Sequence, residues 1–145
     1  MTVAVVDAYA APTILSDANT YARRHGDDAF GRGQFSQIVQ RPQRYGYDDT
    51  VNGDLCGEQG WYGEETLDVE AVHGMAPGAN VLYVGGRCCD DFDLNDAVQT
   101  IVDHRLADVV TNSYGDIGED LPADDIAANH ATFVQAAIEG IGLLF

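Results

Sequence analysis

Glu64 and Asp68, two acidic residues four positions apart, have the types and spacing best suited to chemistry in this chain. On a helix they stand one above the other on the same face, where like charges repel unless a proton is shared. A coupled carboxylate pair can hold a proton in acid and still present one basic oxygen, which is what taking a proton from a hydroxyl nucleophile under acidic conditions requires. Their string, Gly63-Glu64-Glu65-Thr66-Leu67-Asp68, reads as the opening of a helix, whose N-terminal dipole favours anions and opposes the sharing. On spacing alone the three acids are therefore better read as ordinary acidic residues well placed for the helix dipole, since such clusters open many helices. Glu65 is a competing base, three residues before Asp68.

The elements that must hold these residues alternate between strand and helix. Residues 3–6 form a continuous apolar run rich in β-branched side chains, as expected of a strand buried on both faces, and the run ends at Asp7. Thr13 is placed to cap a helix through Ile14, Leu15, Ala18, Tyr21 and Ala22 that Gly26 closes. From 27 to 63 the pattern decays into an irregular surface excursion, with 34–39 its one strand-like island. A helix is expected from Glu64, with Leu67, Ala71, Val72 and Met75 on its apolar face, followed by a strand at 81–84. Asp93 is placed to cap the next helix, 107–111 reads as a third strand, a further helix runs from about Pro122 to Gly140, and 141–145 begins a fourth strand. The alternation implies a parallel α/β sheet between two helix layers. The turn after the first strand, residues 7–12, has no glycine, which argues against a phosphate-binding loop.

The chain has 145 residues, 46% of them hydrophobic, enough for one compact domain and little more. Seven basic residues, all arginine, face 24 acidic ones; the resulting charge of −17 argues against nucleic acid and anionic membrane as partners. A pI of about 4.1 fits an acidic or a salty working medium, or simply solubility. No apolar run approaches the roughly 18 to 20 residues of a membrane helix, and the opening has no positively charged n-region. Cys56, Cys88 and Cys89 lack zinc-site spacing; a disulfide from Cys56 to one of the adjacent pair would leave the third sulfur free or bonded elsewhere. The last residues, Leu143-Leu144-Phe145, fall inside an apolar strand, which suggests a fragment.

The run Trp61-Tyr62-Gly63-Glu64-Glu65-Thr66-Leu67-Asp68-Val69-Glu70, with Ala76-Pro77-Gly78-Ala79 and Asn112-Ser113-Tyr114-Gly115 following in order, resembles the sedolisin family of serine-carboxyl peptidases. The resemblance covers essentially all of residues 1–145 and implies the N-terminal part of a catalytic domain with a three-layer, subtilisin-like parallel sheet, incomplete here. It implies a serine-type acid endopeptidase with Glu64 as the base that activates the serine and Asp68 as its hydrogen-bonded partner. Asp7 is then a supporting carboxylate or merely a strand-end residue, and Ser113, Tyr114 and Gly115 line the cleft for a polypeptide substrate. His73 invites a subtilisin-type reading, but no His-Gly-Thr-His string is present and it follows Asp68 by five residues, so it is given a structural role. None of Ser16, Ser36 and Ser113 stands in a Gly-Thr-Ser context. The resemblance therefore puts the nucleophile, the acidic oxyanion-stabilising residue and a calcium site in a C-terminal part outside these residues, leaves no cofactor in this chain, and implies secretion. Two alternatives stay open: an inactive remnant or acidic binding module, and an intact small α/β domain with an unrelated ligand site.

Overall fold

The computed structural model describes residues 1–39, 57–115 and 121–145. Among these, the strands β1 (Thr2–Ala8), β2 (Phe35–Val39), β3 (Asn80–Gly86), β4 (Val109–Asn112) and β5 (Gly142–Leu144) alternate with the helices α1 (Ile14–His25), α2 (Glu58–Met75), α3 (Asp91–His104) and α4 (Ala123–Glu139). The five strands form one sheet in the order β2-β3-β1-β4-β5, every pair parallel. Parallel strands need crossovers, and the crossovers cover both faces of the sheet, which is why β1 and β3 read as near-continuous apolar runs.

Alternation along the strands divides the core in two. Ala4 and Val6 of β1, Leu82 and Val84 of β3 and Val110 of β4 pack with Ala97, Val98, Ile101 and Val102 of α3 and Ala136 of α4. Val5, Val81 and Tyr83 face the other way, onto Ile14 and Ala18 of α1 and Val69 of α2. The chains leaving the carboxyl ends of β1 and β4, which are neighbours, thus pass to opposite faces and open a crevice at that end of the sheet, where ligands bind in such folds.

Several local expectations change. α2 begins at Glu58, six residues before Glu64, so the irregular excursion does not extend to 63 and the acidic string lies beyond the helix's first turn; residues 40–56 of that excursion lie outside the described part. The buried face of α2 carries Glu65, Asp68, Val69 and His73, whereas Leu67 and Met75 are 58% and 88% exposed. Of the apolar row that the spacing picks out, Leu67, Ala71 and Met75 face water and only Val72 packs against the core, because the row turned to the sheet is partly acidic. Thr13 precedes α1 but makes no capping bond; its hydroxyl donates to Asp17 Oδ2 at 2.6 Å. Asp90, not Asp93, caps α3, accepting from the Asp93 N–H at 2.9 Å, while Asp93 pairs with Arg87. Cys89 is disulfide-bonded and Cys88 is a free thiol; Cys56 lies outside the described residues.

Candidate active site

Asp7 follows Val6 in β1 and therefore points to the same side as Val5, toward α2. It is fully buried, and neither of its oxygens has a hydrogen-bond partner among the described residues. Burial, and then the charges of Asp68, Glu64 and Glu65, push its carboxyl up to about 9 from an ordinary 3.8, so Asp7 is a neutral acid at physiological pH. The backbone turns sharply just beyond it. Tyr9 takes a left-handed conformation (φ 66°) and donates its N–H to the Gly86 carbonyl at 2.8 Å. Gly85, opposite Asp7 in the β1–β3 register, makes room for this turn, since a Cβ there would lie 2.0 Å from the Tyr9 carbonyl oxygen.

Glu65 is fully buried and both its oxygens are engaged. Oε1 accepts from the Ala11 N–H at 2.6 Å and Oε2 lies 2.8 Å from the Tyr83 hydroxyl, which is also 2.9 Å from the Tyr9 carbonyl. Burial raises its pKa while those two bonds pull it down. Glu65 is thus not a free base: it ties the turn after β1 to α2.

Asp68, one turn along α2, is buried and its Oδ2 accepts from Ser113 Oγ at 2.5 Å. Ser113 follows β4, one residue past Asn112, so it projects to the α2 side while Asn112 lies on the α3 and α4 side with Val110. The Tyr114 hydroxyl donates to Asn112 Oδ1 at 3.1 Å and Asn112 Nδ2 to the Leu144 carbonyl at 3.0 Å, fastening the end of β4 to β5. Burial, and then the charges of Asp7 and Asp91, raise the Tyr114 pKa. Glu64 is half-buried and lines a cavity of about 270 Å³ together with Gly60, Trp61, Ser113, Tyr114 and Gly115.

The fold thus brings Glu64, Asp68, Asp7 and Ser113–Gly115 to one end of the sheet. Among the described residues no hydrogen bond joins Glu64 to Asp68; the bond Asp68 makes is to Ser113. Trp61, one helical turn before Glu64, is a wall residue that the motif reading passes over. Its signal in the sequence is its i, i+3 spacing from Glu64. His73 is buried, with Nε2 2.8 Å from the Asp28 carbonyl and its ring stacked on Phe30 at 3.9 Å, a packing role. Among the described residues the ligating side chains close enough together to hold a metal ion are Cys88, Asp90 and Asp93, none of which lines this cavity. Cys88 Sγ donates to Asp90 Oδ2 at 3.0 Å and Arg87 holds Asp93, so internal bonds already satisfy that group.

A hydroxyl held by a buried carboxylate, a second carboxylate at the cavity wall and a neutral acid behind them can store a proton and accept another at low pH. The three-layer parallel architecture with this crevice defines a subtilisin-like α/β fold. Among solved structures the chain is similar to Pseudomonas sedolisin, a serine-carboxyl proteinase complexed with two molecules of pseudo-iodotyrostatin, with a TM-score of 0.73 and 21% identity. The match covers 99% of this chain and 38% of that one, so the chain spans well under half the length of that structure, and the likeness is one of fold. No protein-family model matches the sequence, and no curated protein does.

Proposed function

We propose that these 145 residues are the N-terminal part of the catalytic domain of a sedolisin-like serine endopeptidase that works in acid. The observation that carries this reading is the convergence of Glu64, Asp68 and neutral Asp7 on the crevice beside Ser113. Glu64 is the general base that takes the proton from a serine hydroxyl as it attacks the peptide carbonyl, and returns it to the leaving amine when the acyl-enzyme forms. Asp68 is its partner and Asp7 a proton-bearing support. The edge at Ser113, Tyr114 and Gly115 offers strand-like hydrogen bonds to an extended peptide. The serine, an acidic oxyanion-stabilising residue and a calcium site belong to the remainder of the domain, outside these residues, and the whole protein acts outside the cell.

The test is hydrolysis of denatured protein at acidic pH by the polypeptide that includes the remainder of the domain. Glu64→Gln is expected to cost about 100-fold or more in kcat with little change in KM; full activity in that variant refutes the assignment. The 145 residues alone are expected to show no turnover. The bond from Ser113 to Asp68 favours a second reading, an acidic binding module without chemistry. A reading frame with no Gly-Thr-Ser string beyond Phe145 would support it.

A further inference from the structure

The polar groups around the cavity of Gly60, Trp61, Glu64, Ser113, Tyr114 and Gly115 can be followed hydrogen by hydrogen. Ser113 gives its hydroxyl hydrogen to Asp68, and Tyr114 gives its own to Asn112. Glu64, when ionised, only accepts. Trp61 is different: its indole Nε1 is buried and has no acceptor among the described residues. Indole N–H is a donor only, and a buried donor without a partner is rare enough in folded proteins to require a reason. The ring makes one edge-to-face contact, with Tyr114, centroids 6.3 Å apart. Of the described side chains lining this cavity, Trp61 is therefore the one that still has a hydrogen to give.

The missing acceptor has a definite chemistry. Glu64 lines the cavity and Asp68 stands behind Ser113, and the chain carries a net charge of −17 at neutral pH, so an anionic ligand is disfavoured. A neutral oxygen is required, and an extended peptide supplies one at every second position along its backbone. We propose that Trp61 is a peptide-recognising residue, its indole N–H donating to a main-chain carbonyl oxygen of an extended polypeptide seated along Ser113, Tyr114 and Gly115. This rests on the peptidase reading of the crevice and adds to it a residue that sets where the peptide sits. The N–H meets the peptide by a rotation of the indole about its side-chain bonds, so binding alters the environment of the ring as well.

Trp61 is the chain's one tryptophan, and its indole N–H gives a single resonance in a ¹⁵N–¹H spectrum. The 145-residue chain is titrated at about pH 4.5 with an acetylated, amidated pentapeptide of apolar residues. Saturable downfield movement of the indole resonance is expected together with shifts of the amides of Ser113, Tyr114 and Gly115. Replacing Trp61 by β-(3-benzothienyl)alanine, which keeps the ring shape and removes the N–H, is expected to weaken binding about 3- to 10-fold, the usual range for one hydrogen bond; Trp61→Phe should weaken it at least as much. If the 113–115 amides move while the indole does not, and the benzothienyl variant binds equally well, the role of Trp61 is overturned and the peptide cleft stands. If neither set of resonances moves, the cleft itself is wrong and Trp61's role falls with it.

Discussion

Asp7→Asn probes the electrostatics on which the site depends. The carboxyl is fully buried, has no partner on either oxygen among the described residues, and is raised to about 9 by burial and by the charges of Asp68, Glu64 and Glu65. Between its ordinary 3.8 and about 9 the folded chain keeps a proton that the unfolded chain has released. Stability from this group is therefore complete below the ordinary value and is lost as pH rises through that window. Each pH unit costs about 1.4 kcal/mol, so roughly 4 kcal/mol has gone by pH 7, a large share of a typical domain's stability. Asparagine has nearly the same shape and no charge, and it breaks no hydrogen bond to the described residues, since Asp7 makes none to them. Urea unfolding of both proteins at about pH 4, 5.5, 7 and 8.5 measures the difference, in which the other acidic residues largely cancel. Near pH 4 the two should be equally stable, and by pH 7 the asparagine variant should lead by roughly 4 kcal/mol. Parallel stability curves across that range would show that Asp7 ionises normally and that no neutral acid stands behind Glu64 and Asp68.

Glu65→Ala strands the Ala11 N–H and removes the partner of the Tyr83 hydroxyl, and is expected to cost about 3 kcal/mol in urea unfolding; a loss under about 1 kcal/mol would contradict its anchoring role. Gly85→Ala drives a Cβ to within 2.0 Å of the Tyr9 carbonyl in a turn that cannot relax without breaking the Tyr9 N–H bond to Gly86, so a thermal melt should show a loss of about 3 kcal/mol or more. The Cys88 thiol is pushed up to about 12, first by burial and then by donating to Asp90, so alkylation by iodoacetamide near pH 8 should be slow. Asp90→Asn should speed that alkylation by roughly tenfold for each unit the thiol pKa falls, whereas an unchanged rate would show that Asp90 does not hold the thiol.

The order of elements is legible in the chain because each signal is local. The β-branched run around Val5 is apolar at every position, as a strand covered on both sides must be, and Gly26 and Gly140 end α1 and α4 in left-handed conformations that favour glycine. The acidic string around Glu64 was visible too, since residue type and spacing are enough to mark it. The start of α2 was not: Glu58, Gln59 and Gly60 carry no apolar stripe, and helix formation there rests on Trp61 and Tyr62 finding neighbours that lie far away in the chain.

Which carboxylate does what was decided by tertiary structure. Glu64 and Glu65 are adjacent in sequence, yet a helix turns 100° between neighbours, so one lines the cavity while the other is buried between Ala11 and Tyr83. Ser113 meets Asp68 across 45 residues because β4 pairs beside β1 and the alternation of a strand turns Ser113 to the α2 side. The ionisation of Asp7 depends on the same geometry. Its type and its place at the end of β1 are written in the sequence, but its raised pKa comes from burial and from charges on a helix more than 50 residues away, and desolvation exists only once the chain has closed around it.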